Sequence, residues 1–130
     1  LEHLSRHSAS HFIKECHRVL KKGGILRIVV PDIKKLIDAY LIDKDSDKFL
    51  EDSLLACPSI TTLKEKIYFL FIGFRHHQWM YDFTSLKRLI ANHGFNNIVE
   101  QFPGISLIEK PGDLNLNERA DESLYIEAMK

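Results

Sequence analysis

The densest group of chemistry-bearing side chains lies in residues 74–83. His76, His77, Trp79, Tyr81 and Asp82 fall there within seven positions. Aromatic faces stack on sugars and planar rings, and an imidazole exchanges a proton near neutral pH. The cluster therefore predicts a base at His76 or His77 and a substrate-binding surface from Trp79, Tyr81 and Asp82. The competing reading is an apolar plug ahead of a helix, with Asp82 adding a negative charge at its start. A zinc site from His76, His77 and His93 is disfavoured, because adjacent histidines point differently and no Cys or HxxxH spacing supports one. His7 and His11 share a helical face at i, i+4 and read as exposed, and His17 reads as solvated. No metal site is expected.

The elements that must position this cluster are legible in part. Phe12, Ile13, Cys16, Val19 and Leu20 recur at helical spacing, with Ser8 or Ser10 as the cap. Lys21 and Lys22 suit the helix C-terminus, and Gly23-Gly24 permits a sharp exit. Residues 25–30 are almost all apolar and mostly β-branched, which predicts a buried parallel strand ended by Pro31. Asp32 caps a second helix through Ile33, Leu36, Ile37 and Tyr40. Residues 43–47 read as a loop, Leu50, Leu54 and Leu55 as a short helix, and Thr61 or Thr62 as the cap of another. Thr84 is the expected cap of a helix with Leu86, Leu89 and Ile90 on one face, closed by Gly94. Strands follow at 98–102 and 123–129, separated by a polar loop over roughly 110–121.

Composition bounds the function classes. The chain has 130 residues, 45% apolar and 28% charged, which suits one globular domain. Lys plus Arg equals Asp plus Glu at 18 each, so nothing argues for a nucleic-acid partner held by bulk charge. The apolar run at 67–74 is far too short to span a membrane, and no signal peptide opens the chain. Cys16 falls on an apolar stripe and Cys57 stands alone, as in a reducing, cytoplasmic setting. Leu1 in place of Met is the mark expected of a fragment, a processed product or an expression fragment.

Two stretches carry a family resemblance. Leu1-Glu2-His3-Leu4, followed by Glu15, Arg18, Val19, Leu20, Lys21, Gly23, Gly24 and Leu26, resembles the "LEHL … E-x-x-R-V-L-K-P-G-G-x-L" signature of class I S-adenosylmethionine (SAM)-dependent methyltransferases. Lys22 stands where that signature has Pro. Gly94-Phe95 resembles the family's "GF" ahead of its sixth strand, and residues 123–128 resemble its seventh. His77, Trp79, Tyr81, Asp82, Ser85 and Leu86 are similar to the "H-x-W-x-Y-D-x-x-S-L" of a type 11-like subgroup linked to sugar and polysaccharide genes.

The resemblance implies the C-terminal half of a Rossmann-like α/β domain. It would hold the fifth, sixth and seventh strands in a mixed sheet, with residues 25–30 central, the segments at 98–102 and 123–129 antiparallel to each other, and the seventh strand inserted between the fifth and sixth. It would also carry a helical insert at about 33–74. It implies methyl transfer from SAM to a small-molecule or sugar-type acceptor. Ligands in such folds sit at the carboxyl ends of strands, here at Glu2 and His3 and at Pro31-Asp32. Glu2 and His3 are then the cofactor contacts, His3 a further candidate base, and Asp32 a substrate contact. The six glycines never fall in GxGxxG spacing, and the ribose-binding acid of the second strand has no counterpart. Weak or absent SAM binding by this chain is the expectation. A further expectation is a partner in the form of a second copy or the missing half. The alternative is a non-enzymatic pseudo-methyltransferase module.

Overall fold

The computed structural model describes residues 1–55, 62 and 77–130. Helix α1 (Arg6–Val19) is capped by Ser5, whose hydroxyl accepts from the Ser8 amide at 3.1 Å. The expected caps Ser8 and Ser10 lie inside the helix, because Ser5 reaches the first free N–H groups earlier. Gly23, at φ +78°, turns the chain into β1 (Ile25–Pro31). Asp32 caps α2 (Ile33–Asp43), accepting from the Lys34 amide at 2.9 Å. Lys44 takes a left-handed conformation and Asp45 caps α3 (Ser46–Ser53), so the expected 43–47 loop shrinks to Lys44 and Asp45. The rest of the expected 33–74 insert, with the helix after Thr61 or Thr62, falls outside the described residues apart from Thr62.

Helix α4 (Phe83–Ala91) starts one residue before Thr84. Asp82 caps it, and a capping box with Ser85 satisfies both backbone and side chain. Its predicted face is buried as expected, with Leu86, Leu89 and Ile90 in the core. Gly94 then turns at φ +90°. A side chain at that position would also press on the His17 ring, since a Cβ would lie 3.2 Å from its Nε2. His17 is accordingly half-buried and edge-on to Phe95, not solvated. The last strands are β2 (Asn96–Gln101) and β3 (Ser123–Met129).

The strand order is β1-β3-β2, the expected placement of the last strand between the other two, but β3 is central and β1, expected to be central, lies at an edge among the described residues. Both pairings are antiparallel, Ile25 opposite Met129 on one side and Val99 opposite Glu127 on the other. The sheet of the described residues is therefore antiparallel, not mixed, and β1 has no parallel neighbour among them. The reason is burial. β3 buries six consecutive residues and needs cover on both sides, whereas in β1 only Ile28 and Val30 are buried. The expected antiparallel pairing of the last two strands is present. Ala9 and Ile13 of α1, the α4 face, Phe95 and the inner residues of β1 and β3 make one core. Each large apolar side chain in it contributes about 1.5–3 kcal/mol. Phe12 and Val19 stay exposed, and Val19 borders an apolar cleft of about 500 Å³ between α1, β1 and the 108–118 loop. Among the described residues, no helix is long and apolar enough to cross a membrane.

One charge pair organises the sheet. Glu127 on β3 is fully buried and directly opposite Arg27 on β1, with Oε1 2.7 Å from the Arg27 Nη1. Ser106 Oγ donates to the same oxygen at 2.6 Å. The Leu107 amide at 2.6 Å and Gln101 Nε2 at 3.2 Å donate to the other. Burial pushes this carboxyl up, but the bonds from Ser106, Leu107 and Arg27 outweigh it and hold the carboxyl below its ordinary 4.5. Its contribution to stability is thus complete above that value and is lost as the pH falls through the lower folded-state value. Glu127→Ala should cost about 3–5 kcal/mol, because it strands Arg27 in the interior. Urea unfolding at neutral pH checks the loss, and repeating it below pH 4.5 should shrink the gap between the two proteins.

Candidate functional site

Three segments converge at the carboxyl end of β1. The Glu2 backbone carbonyl accepts from the Gln78 amide at 2.8 Å and the Trp79 amide at 3.1 Å. The His77 amide donates to the Leu54 carbonyl at 3.2 Å, just after α3. Tyr81 forms a parallel bridge with Asp32, and its carbonyl accepts from the Ile33 amide at 3.0 Å. The chain from His77 to Asp82 is therefore stitched to the start of the chain at one end and to the start of α2 at the other.

This arrangement unites some of the predicted residues and separates others. Glu2, His3 and His77 come together. The His3 and His77 ring centroids are 5.1 Å apart, and His3 Nε2 is 3.5 Å from Glu2 Oε1. His77 is buried, and its Nδ1 lies 2.8 Å from the Ser53 carbonyl. A carbonyl only accepts, so Nδ1 carries the proton and donates, leaving the Nε2 lone pair for another partner. His3 is half-exposed, and a cavity of about 140 Å³ opens beside it, bounded by Glu2, Val30, Pro31 and Arg119. His76 lies outside the described residues.

Asp32 is buried with its carboxylate engaged as the α2 cap, and it borders a separate cavity of about 230 Å³ with Lys35, Asp52 and Met80. Lys35 spans the rim of that cavity by donating to the Ala120 and Ser123 carbonyls. Asp82 is held below the usual carboxylate range by the hydrogen bonds it accepts from Ser85. Those bonds belong to the helix cap. Tyr81 is fully buried in the core, and burial pushes its phenol up despite the nearby Arg6 charge. Trp79 is exposed and carries the Arg6 guanidinium 4.7 Å over its ring. His7 and His11 meet edge to face on one exposed side of α1, with ring centroids 4.5 Å apart.

Residues that sequence reasoning passed over also shape the site. Ser53 orients His77 through a backbone carbonyl, which no side-chain pattern can announce. Arg6 reaches both Trp79 and Tyr81 from the first turn of α1. Arg27 and Glu127 were legible as the lone charges within two apolar strands, but their pairing depends on register. No family model, no curated protein and no solved structure matches this chain.

Among the described residues the buried Tyr81 hydroxyl and the Arg6 Nη1 near it have no partner in hydrogen-bonding geometry. An unmade bond to a buried polar group costs about 1–3 kcal/mol. Tyr81→Phe should therefore leave stability unchanged or raise it by about 1 kcal/mol. A drop in the urea midpoint would show instead that the hydroxyl bonds in solution.

Proposed function

We propose that this chain is the acceptor-side half of a class I SAM-dependent methyltransferase domain and acts when joined to a segment carrying the glycine-rich loop. The observation that carries the reading is the sheet order. The last strand of the chain lies antiparallel between β1 and β2. The methyltransferase resemblance implies that same placement of a seventh strand between a fifth and a sixth. The signature residues also fall where the reading needs them. Gly23 makes the turn into β1, while Glu2 and His3 flank the carboxyl end of that strand. The outer edge of β1 has no strand beside it among the described residues, so a fourth strand has a place to pair.

In this reading Glu2 and His3 contact SAM. The 230 Å³ cavity beside Asp32, which shares Pro31 with the 140 Å³ cavity at Glu2 and His3, takes a small polar acceptor, and the exposed Trp79 offers an aromatic face to a sugar. Methyl transfer is an in-line displacement at a sulfonium carbon, so the protein's work is alignment and, for a hydroxyl or amine acceptor, removal of one proton. His77 Nε2, with its lone pair turned away from Ser53, suits that role, and His3 is the second candidate.

A pseudo-methyltransferase interaction module is the second reading. The apolar cleft beside Val19 and Leu26 favours it, since such a surface suits another chain. SAM discriminates the two. Titration calorimetry should find weak or no SAM binding by the 130-residue chain alone. A chain extended at its start by a strand, glycine loop and acidic residue should bind SAM, and Glu2→Ala should weaken that binding. An extended chain that binds no SAM would leave the module reading in place.

The open edge of β1 also supports self-association of the isolated chain, most simply as a two-fold dimer. Sedimentation velocity at tens of micromolar should show the dimer. A well-folded monomer would sink this assignment.

A further inference from the structure

We infer that Glu2, His3 and His77 form a zinc-binding site that ties the start of the chain to the segment after α3. One ligand atom from each lies within 4.8 Å of the other two. Tetrahedral zinc holds its N and O ligands at about 2.0–2.2 Å, which sets neighbouring donors about 3.4 Å apart. His3 Nε2 and Glu2 Oε1 already stand at 3.5 Å. That is long for a hydrogen bond and close to the spacing of two donors on one ion.

The site is prepared on three further counts. First, His77 is buried and donates from Nδ1 to the Ser53 carbonyl at 2.8 Å. This is the outer contact that fixes the tautomer of a metal-binding imidazole and presents Nε2 to the ion. Second, the backbones are pinned in place. The Glu2 carbonyl takes the amides of Gln78 and Trp79, and the His77 amide is held by Leu54, so two of the three ligands sit on bonded backbone. Third, His3 is half-exposed, which leaves an entry path for the ion. Two imidazoles and one carboxylate suit a borderline cation such as Zn²⁺. Mg²⁺ and Ca²⁺ prefer oxygen ligands alone. Three protein ligands leave the fourth position of the ion open to water or a ligand.

The site draws on the residues that the methyltransferase reading gives to SAM and to proton removal, so His77 Nε2 serves one role or the other. The test of zinc binding uses the metal alone, so that it succeeds or fails independently of SAM. Zinc chloride titrated calorimetrically into the 130-residue chain should bind as one ion per chain. His3→Ala should weaken binding by at least about tenfold. The double variant His7→Ala, His11→Ala removes the exposed i, i+4 pair and should leave the affinity unchanged. Mg²⁺ should give no binding heat. Co²⁺ in place of zinc should produce a visible absorption band that His3→Ala diminishes. His77→Gln should also abolish binding while keeping the circular dichroism of the parent. If that variant fails to fold, the half-exposed His3 decides the matter. No zinc uptake at about 100 μM would overturn the site. So would uptake that survives His3→Ala and disappears with the His7 and His11 variant.

Discussion

Glu127 sits on the middle strand with no exposed surface, and a carboxylate there is tolerable only because four donors converge on it. An unpaired charge in such a place would be neutralised or would unfold the strand. The donors come from three parts of the fold. Arg27 comes from β1, Gln101 from β2, and Ser106 and Leu107 from the chain between β2 and β3. Arg27 extends the network by donating to the carbonyls of Ile105 and Leu116 and by lying over the Tyr125 ring. The long connection from β2 to β3 has no regular structure of its own. Its order follows from satisfying this one buried pair.

The position of the sheet fixes the site in turn. Register places Pro31 opposite Ser123, so β1 ends where the 119–122 turn begins, and Asp32 donates its amide to the Glu122 carbonyl. That anchor sets the start of α2. The bridge from Asp32 to Tyr81 then carries the same constraint to the aromatic segment, and the two bonds onto the Glu2 carbonyl carry it to the start of the chain. Glu2, His3 and His77 meet because backbone bonds bring their segments together. Side-chain attraction alone would be too weak to do so at a half-exposed site.

The same physics divides the aromatic segment into parts with different work. Tyr81 goes into the core and Asp82 closes a helix cap, whereas His77 faces Glu2 and Trp79 stays exposed beside Arg6. His77, Trp79 and Tyr81 are two apart and would share one face of a regular strand, but the chain bends at Gln78, and separate backbone bonds to Leu54, Glu2 and Ile33 send them to different surroundings.

The sequence by itself determined the local elements. Helical spacing marked α1 and α4, a β-branched run marked β1, and Asp32 was legible as a cap because its side chain bonds to an amide two residues away. Caps were misplaced by a few residues at Ser5 and Asp82, where several polar residues compete for the same free N–H groups. That Arg27 faces Glu127 and that His77 stands beside Glu2 comes from the folded chain alone. Those facts depend on register and on backbone carbonyls such as those of Ser53 and Glu2. Every residue carries a carbonyl alike, so no pattern of side chains records which of them will be used.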